Sequence, residues 1–211
     1  MILVTGFGPY QESMNASGEL VESLKRNLPE SLIGLRDRLA FEVVTCDCTS
    51  RETEHRSLEA RLGELLGRYR PSLCIHTGQA PPYNKVTIEK IAINTFMTEI
   101  IDPNRPAAYW STLPGADELK DLLENENIPA GYSFYCGQHL CNHILYSSLH
   151  FAETSGGSHR AGFIHVPLLP EQVTGNRREA PYMPLELSRK ALALIINRAA
   201  CGVRQHSKEY R

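Results

Sequence analysis

Short apolar runs alternate with segments of helical period along the whole chain, and no other feature limits its fold as tightly. Ile2–Thr5 is a brief apolar run closed by Gly6, the pattern of a buried strand. Leu20, Val21, Leu24 and Leu28 follow at helical spacing over Gly18–Leu28, with Ser17 as the expected N-cap and Pro29 as the stop. Leu39–Cys48 reads as a second strand. Arg51–Arg70 reads as a long amphipathic helix with Leu58, Leu62, Leu65 and Leu66 on one stripe. Ser72–Thr77 is a third expected strand, ending at Gly78. Val86–Asn94 alternates like a strand but slips in phase at Glu89 and Lys90, which suggests a bulge. Thr95–Pro114 holds Pro103, Pro106 and Pro114 without a clear period and reads as loop. Asp117–Glu124 and Leu140–Leu149 are expected helices, and Ala161–Val166 a strand. A last helix should open at Pro184 and close at Gly202.

Such alternation predicts an α/β fold with a mainly parallel sheet covered on both faces. The 211 residues contain no internal repeat, low-complexity tract or linker, so one domain spanning 1–211 is expected. Charge narrows the function classes. Lys and Arg number 22 against 24 Asp and Glu, a net charge of −2, which gives no basic surplus for nucleic acid. No apolar run approaches the roughly 18 residues of a membrane-spanning helix. The start, Met1 to Gly6, is too short for a secretory signal, so the six cysteines are expected as reduced thiols in a cytoplasmic protein.

Several residues are candidates for chemistry. Gly6 and Gly8 follow the first strand. Gln11 stands where a dinucleotide fingerprint needs its third glycine, and Pro9 interrupts the approach to a helix. The pair therefore reads as a tight turn, compatible with a substrate-facing loop. Cys46 and Cys48 share one face of a strand, and Cys74 and His76 repeat that spacing on the next; the four could hold zinc or simply pack. Cys141 sits at an expected helix start, where free N–H groups and the helix dipole favour a thiolate. Those N–H groups could also hold an oxyanion. Its base is open among three histidines. His143 falls on another helix face and His139 just precedes the helix. His165 is better placed, at the end of a strand before Pro167. Its plain alternative is a satisfied core histidine. Glu89, inside an apolar strand, is either an orienting carboxylate or an exposed edge residue beside Lys90.

Five blocks carry a resemblance: Val4–Tyr10 (VTGFGPY) with Asn15 and Ser17; Gly78–Ala80 (GQA); Thr87–Asn94 with Glu89; Cys141–Tyr146 (CNHILY); and Gly162–Pro167 (GFIHVP) followed by Leu169–Gln172 (LPEQ). In this order they resemble the pyroglutamyl peptidase I (pyrrolidone-carboxylate peptidase) family over nearly the whole chain. The resemblance implies a three-layer α/β/α sandwich and a cysteine peptidase that removes N-terminal pyroglutamate from peptides. It implies Cys141 as nucleophile, His165 as general base and acid, and Glu89 as its orienter. No metal or cofactor is implied, and a homo-oligomer, commonly a tetramer, is. Phe7 and Tyr10 correspond to aromatics of the family's lactam pocket, and Gln79, Ile100, His139 and Leu140 are the other pocket positions carried over.

The chain also departs from the family. Gly8 replaces an acidic residue, Tyr10 a phenylalanine, and Gln11 and Glu12 two glycines. Pro81, Pro82 and Tyr83 stand for Gly-Gly-Arg. Glu99 falls at an arginine and His139 at an aromatic, and these two could pair. Rival readings are a thiol amidohydrolase acting on another blocked or cyclic acyl group, a catalytically weak binding paralogue, and the zinc protein.

Overall fold

A computed structural model describes residues 1–10, 13–46, 50–174 and 179–209, without the side chains of 51–52 and 203–209. The described residues form ten strands and five α-helices. The strands are β1 (Ile2–Phe7), β2 (Leu39–Val44), β3 (Leu73–Gln79), β4 (Val86–Glu89), β5 (Ile91–Ile93), β6 (Thr95–Phe96), β7 (Glu99–Ile100), β8 (Ala108–Trp110), β9 (Ala130–Ser133) and β10 (Arg160–Val166). The helices are α1 (Ala16–Arg26), α2 (Arg51–Tyr69), α3 (Leu119–Asn125), α4 (Leu140–Thr154) and α5 (Leu185–Glu209). Six strands form one sheet in the order β2-β1-β3-β10-β4-β9. The first four are parallel, β4 runs antiparallel to β10, and β9 is parallel to β4. The expected mainly parallel mixed sheet is present.

Alternate side chains of the sheet enter two cores. Ile2, Val4, Ile75, Ile88 and Ile164 join Leu20 and Leu24 of α1 and Ile195 and Ile196 of α5. Leu3, Phe7 and Phe163 join Leu58, Leu62 and Leu65 of α2 and Leu145 and Tyr146 of α4. Each such fully buried side chain contributes about 1.5–3 kcal/mol. Helices thus cover both faces, which is why the buried strands read as continuous apolar runs. No described helix is long and apolar enough to cross a membrane.

Local details differ from the sequence reading. The N-cap of α1 is Asn15, whose side chain accepts from the Ser17 amide and hydroxyl, not Ser17. Gly6 lies inside β1 and makes no turn: a Cβ there would meet the Ser17 carbonyl at 2.2 Å, so glycine lets α1 press on the strand. Val86–Asn94 divides at Lys90 into two strands in different sheets instead of one bulged strand. Its amide bonds back to Ser133, while Ile91–Ile93 turns away to pair with β8. Thr95–Pro114, expected as loop, holds β6, β7 and β8; strands of two or three residues are too short to show a period. Gly202 does not close the last helix; α5 runs on through it, and the missing side chain admits Pro114. β2 stops at Val44, so Cys46 lies beyond it, and Cys48, Gln11 and Glu12 lie outside the described residues.

Candidate active site

Strand register brings the candidate groups together. His165 on β10 stands opposite Gly78 of β3 on one side and Thr87 of β4 on the other. Glu89, two residues along β4 from Thr87, becomes its diagonal neighbour on the same face. Glu89 Oε1 lies 2.7 Å from His165 Nδ1, and Glu89 is fully buried. That excludes the exposed-edge reading of Glu89. A buried carboxylate needs a partner, and the imidazole supplies one. With Nδ1–H donating to Oε1, Nε2 is the nitrogen left to face Cys141, whose charge acts on the His165 ring.

Burial alone would push His165 down. The charge of Cys141 and then Glu89 outweigh it and raise His165 to about 9. At neutral pH the His165 ring is therefore held as imidazolium. Phe163 packs on the His165 ring at 4.8 Å between centroids, and Tyr83 meets it edge-on at 5.6 Å. Gly78 forms the floor: a Cβ there would lie 2.8 Å from Cys141 Sγ and 2.7 Å from Phe163 Cζ.

Cys141 is the second residue of α4, as expected for a thiol at a helix start. The N-cap, His139, makes no side-chain cap bond, and the first amide bonded within the helix is that of His143, to the His139 carbonyl. The amides of Leu140, Cys141 and Asn142 therefore precede the helical ladder. A helix end left uncapped costs stability unless something uses it, and an oxyanion formed at Cys141 fits. Asn142 fixes the helix in place. It accepts from the Ile93 amide and donates to the Ile93 and Thr95 carbonyls, all at 2.8–2.9 Å.

Beside the triad lies an aromatic wall. The His139 ring stacks on Phe96 at 5.2 Å and tilts against Tyr10 at 5.4 Å. Its Nε2 lies 3.2 Å from Oε2 of the buried Glu54 on α2, so the partner of His139 is Glu54 and not Glu99. Glu99 and Ile100 are exposed on β7, Ile100 by 64%. Phe7 and Leu140 are buried in the second core. Gln79 is tied down: its Oε1 accepts from the Ala16 amide and from Gln172, both at 2.9 Å. Two cavities of about 590 and 430 Å³ elsewhere on the molecule are lined by no triad residue.

Other expected candidates have duties of their own. Cys74 is buried beside Ser148 and pushed up to about 12 by burial; His76 Nδ1 bonds Thr5 Oγ1 at 2.8 Å. Packing is their role in this structure. Reasoning from sequence missed Phe96, Glu54 and Cys136. Tyr83 was noted only as a departure. Cys136 Sγ lies with a Glu89 oxygen and a His165 nitrogen, all within 4.8 Å. Burial, then the Glu89 and Cys141 charges, raise its thiol well above the ordinary range, so it stays protonated. No spacing links these residues, which meet only through the sheet and the α2–α4 contact.

The pyroglutamyl peptidase family model matches residues 1–201. A pyrrolidone-carboxylate peptidase of Bacillus thuringiensis is 35% identical over 208 residues, covering 92% of this chain and 90% of that protein. Pyrrolidone-carboxylate peptidase 1 of Caldanaerobacter subterraneus is 33% identical, with 92% and 95% covered. The structure of pyrrolidone carboxyl peptidase from Thermococcus litoralis superposes with a TM-score of 0.83 at 26% identity, over 97% of this chain and 95% of that one. Pyroglutamyl peptidase I of Bacillus amyloliquefaciens gives 0.80 at 28% identity, over 96% and 97%. With sequence and fold matched along the same length, the chain belongs to the pyroglutamyl peptidase family.

Proposed function

We propose that this protein is a cysteine peptidase that removes N-terminal pyroglutamate from peptides, with Cys141, His165 and Glu89 as its working groups. One observation carries the reading: His165 Nδ1 rests 2.7 Å from buried Glu89, and Gly78, the partner of His165 on the next strand, faces the Cys141 thiol at the open start of α4. The Cys141 thiolate attacks the carbonyl of the pyroglutamyl residue. The free amides at the start of α4 hold the oxyanion. His165 gives its proton to the leaving amine, the thioester forms, and the same nitrogen then takes a proton from water to release the acyl group. Glu89 holds the tautomer and stabilises the imidazolium. A lactam carries no charged amine, so a dry pocket accepts it; a free α-amino group would have to shed its water there.

The test is hydrolysis of a pyroglutamyl-linked chromogenic amide by the wild type and by Cys141→Ser. The wild type should turn over and be inactivated by alkylation, with protection by pyroglutamate analogues. Full activity in Cys141→Ala would overturn the assignment.

The Glu54–His139 pair favours a second reading, a thiol amidohydrolase acting on another blocked or cyclic acyl group, because a polar pair stands where the family presents an aromatic. A panel of acyl amides separates the two. We further propose one catalytic domain, a cytoplasmic setting and a homo-oligomer, a tetramer by family likeness. Cys74, Cys136, Cys141 and Cys201 are free thiols, and Ile100, Trp110, Phe134, Tyr135 and Tyr182 expose apolar surface suited to self-association. Sedimentation of the purified protein checks the oligomer.

A further inference from the structure

His143 shares α4 with Cys141 but faces elsewhere, into the contact between α4 and α2. There it meets His55 and Glu59, one turn apart on α2. His55 Nε2 and His143 Nε2 each lie 3.9 Å from Glu59 Oε1, and the three donor atoms all fall within 4.8 Å of one another. The two imidazoles meet edge to face with centroids 4.3 Å apart.

The hydrogen bonding here is incomplete. His143 is fully buried, and neither of its ring nitrogens reaches hydrogen-bond geometry, although the His55 carbonyl lies near enough to act on the ring. His55 Nε2 is buried and unbonded as well. Unsatisfied nitrogens inside a protein cost stability, and two converging on one carboxylate oxygen call for a ligand that takes lone pairs.

We propose that His55, Glu59 and His143 form a binding site for a divalent transition ion of the zinc class, separate from the triad. Two imidazoles and one carboxylate suit zinc, cobalt or nickel. Bonds of about 2.0–2.1 Å place tetrahedral donors about 3.3 Å apart, so the two 3.9 Å separations must close by about 0.6 Å and the third, within 4.8 Å, by at most about 1.5 Å. Glu59 is oriented by outer partners: Ser147 Oγ and Arg105 Nη1 each donate to Oε1 at 3.1 Å. Such second contacts are a usual part of metal sites. Arg105 also opposes a cation, but Asp102, 3.3 Å from its Nε, offsets that charge. His55 and Glu59 are partly exposed, which leaves a way in for the ion and a solvent ligand in the fourth position.

The ion would act on the pocket wall, not in the chemistry. Phe96 packs against His55 at 5.8 Å, His143 at 5.3 Å and His139 at 5.2 Å. Drawing His55 and His143 together fixes Phe96 and, through it, the residue that caps α4. The site stands whether or not the peptidase assignment holds.

The experiment is a Co²⁺ titration of the reduced wild-type protein followed by visible absorption, with Zn²⁺ added as competitor. One equivalent should produce d–d bands without a thiolate-to-cobalt charge-transfer band, and Zn²⁺ should bleach them. His55→Ala and the near-isosteric Glu59→Gln should each weaken binding at least tenfold, on the order expected for losing a ligand, with circular dichroism unchanged. A charge-transfer band would place the ion on a cysteine and overturn the proposal. So would the absence of d–d bands at one equivalent, or equal binding in folded variants.

Discussion

Glu89 Oε1 sits 2.7 Å from His165 Nδ1, and the other Glu89 oxygen is buried with no hydrogen-bond partner. The carboxylate therefore has one described attachment, the imidazole. Glu89→Gln keeps the shape but removes the charge and can present its amide nitrogen to Nδ1, which favours the wrong tautomer. We expect kcat to fall by about 100-fold or more, on the scale seen when a triad carboxylate becomes an amide. KM should change little. Steady-state kinetics on a pyroglutamyl amide check both, and an unchanged kcat would remove Glu89 from the triad.

The His165 titration should depend on Cys141. Burial lowers it, and the thiolate is the largest opposing influence, ahead of Glu89. Activity that needs the imidazolium–thiolate pair should decline as pH rises through about 9. The same sign applies to stability: a histidine raised above its unfolded value of about 6.5 stabilises fully below that pH, and the contribution fades as pH rises through 9. In Cys141→Ala the His165 pKa should drop, read directly from imidazole NMR signals. A value unmoved by the substitution would mean that the pair is not formed.

Gly78 should not tolerate a methyl group. The added carbon would lie within 2.8 Å of both Cys141 Sγ and Phe163 Cζ, well inside contact distance. Gly78→Ala must displace the nucleophile, the ring under His165, or both. We expect loss of most activity with a destabilisation of about 1–3 kcal/mol from overpacking. Activity assays beside thermal unfolding separate the two effects.

Much of this was legible in the sequence for identifiable reasons. Buried strands such as β1 and β10 announce themselves because both faces are covered, and α2 because it is long and carries Leu58, Leu62 and Leu65 along one buried stripe. Cys141, His165 and Glu89 were each readable as a residue type in a suggestive place, but only the family resemblance, and no local pattern, implied their union. It depends on β4 running antiparallel to β10, a topology that no local pattern encodes. Glu54 was hidden for the same reason, since it reaches His139 only because α2 packs on α4. The one-residue break at Lys90 was visible as a phase slip, yet a slip alone does not distinguish a bulge from a strand that changes sheets.

The last prediction concerns that hidden pair. Glu54 is 4% exposed, with Oε2 at 3.2 Å from His139 Nε2 and Oε1 buried without a partner. His139→Phe alone would supply the aromatic expected of the family but strand the carboxylate. We expect it to cost about 1–3 kcal/mol, the penalty of an unsatisfied buried group. Glu54→Leu alone removes the buried charge but leaves His139 without this bond. The double variant replaces a polar pair by an apolar one, an exchange that is often neutral or stabilising. Unfolding of all four proteins should therefore show strong favourable coupling between the two substitutions. Activity then decides what the pair is for. His139 stacks on Phe96 and touches Tyr10, so an apolar pair there should hold a lactam ring better and raise kcat/KM on a pyroglutamyl amide. If the double variant instead loses activity on another acyl amide that the wild type hydrolyses, Glu54 and His139 select that substrate. Unchanged kinetics in a stable double variant would confine the pair to holding α2 against the start of α4.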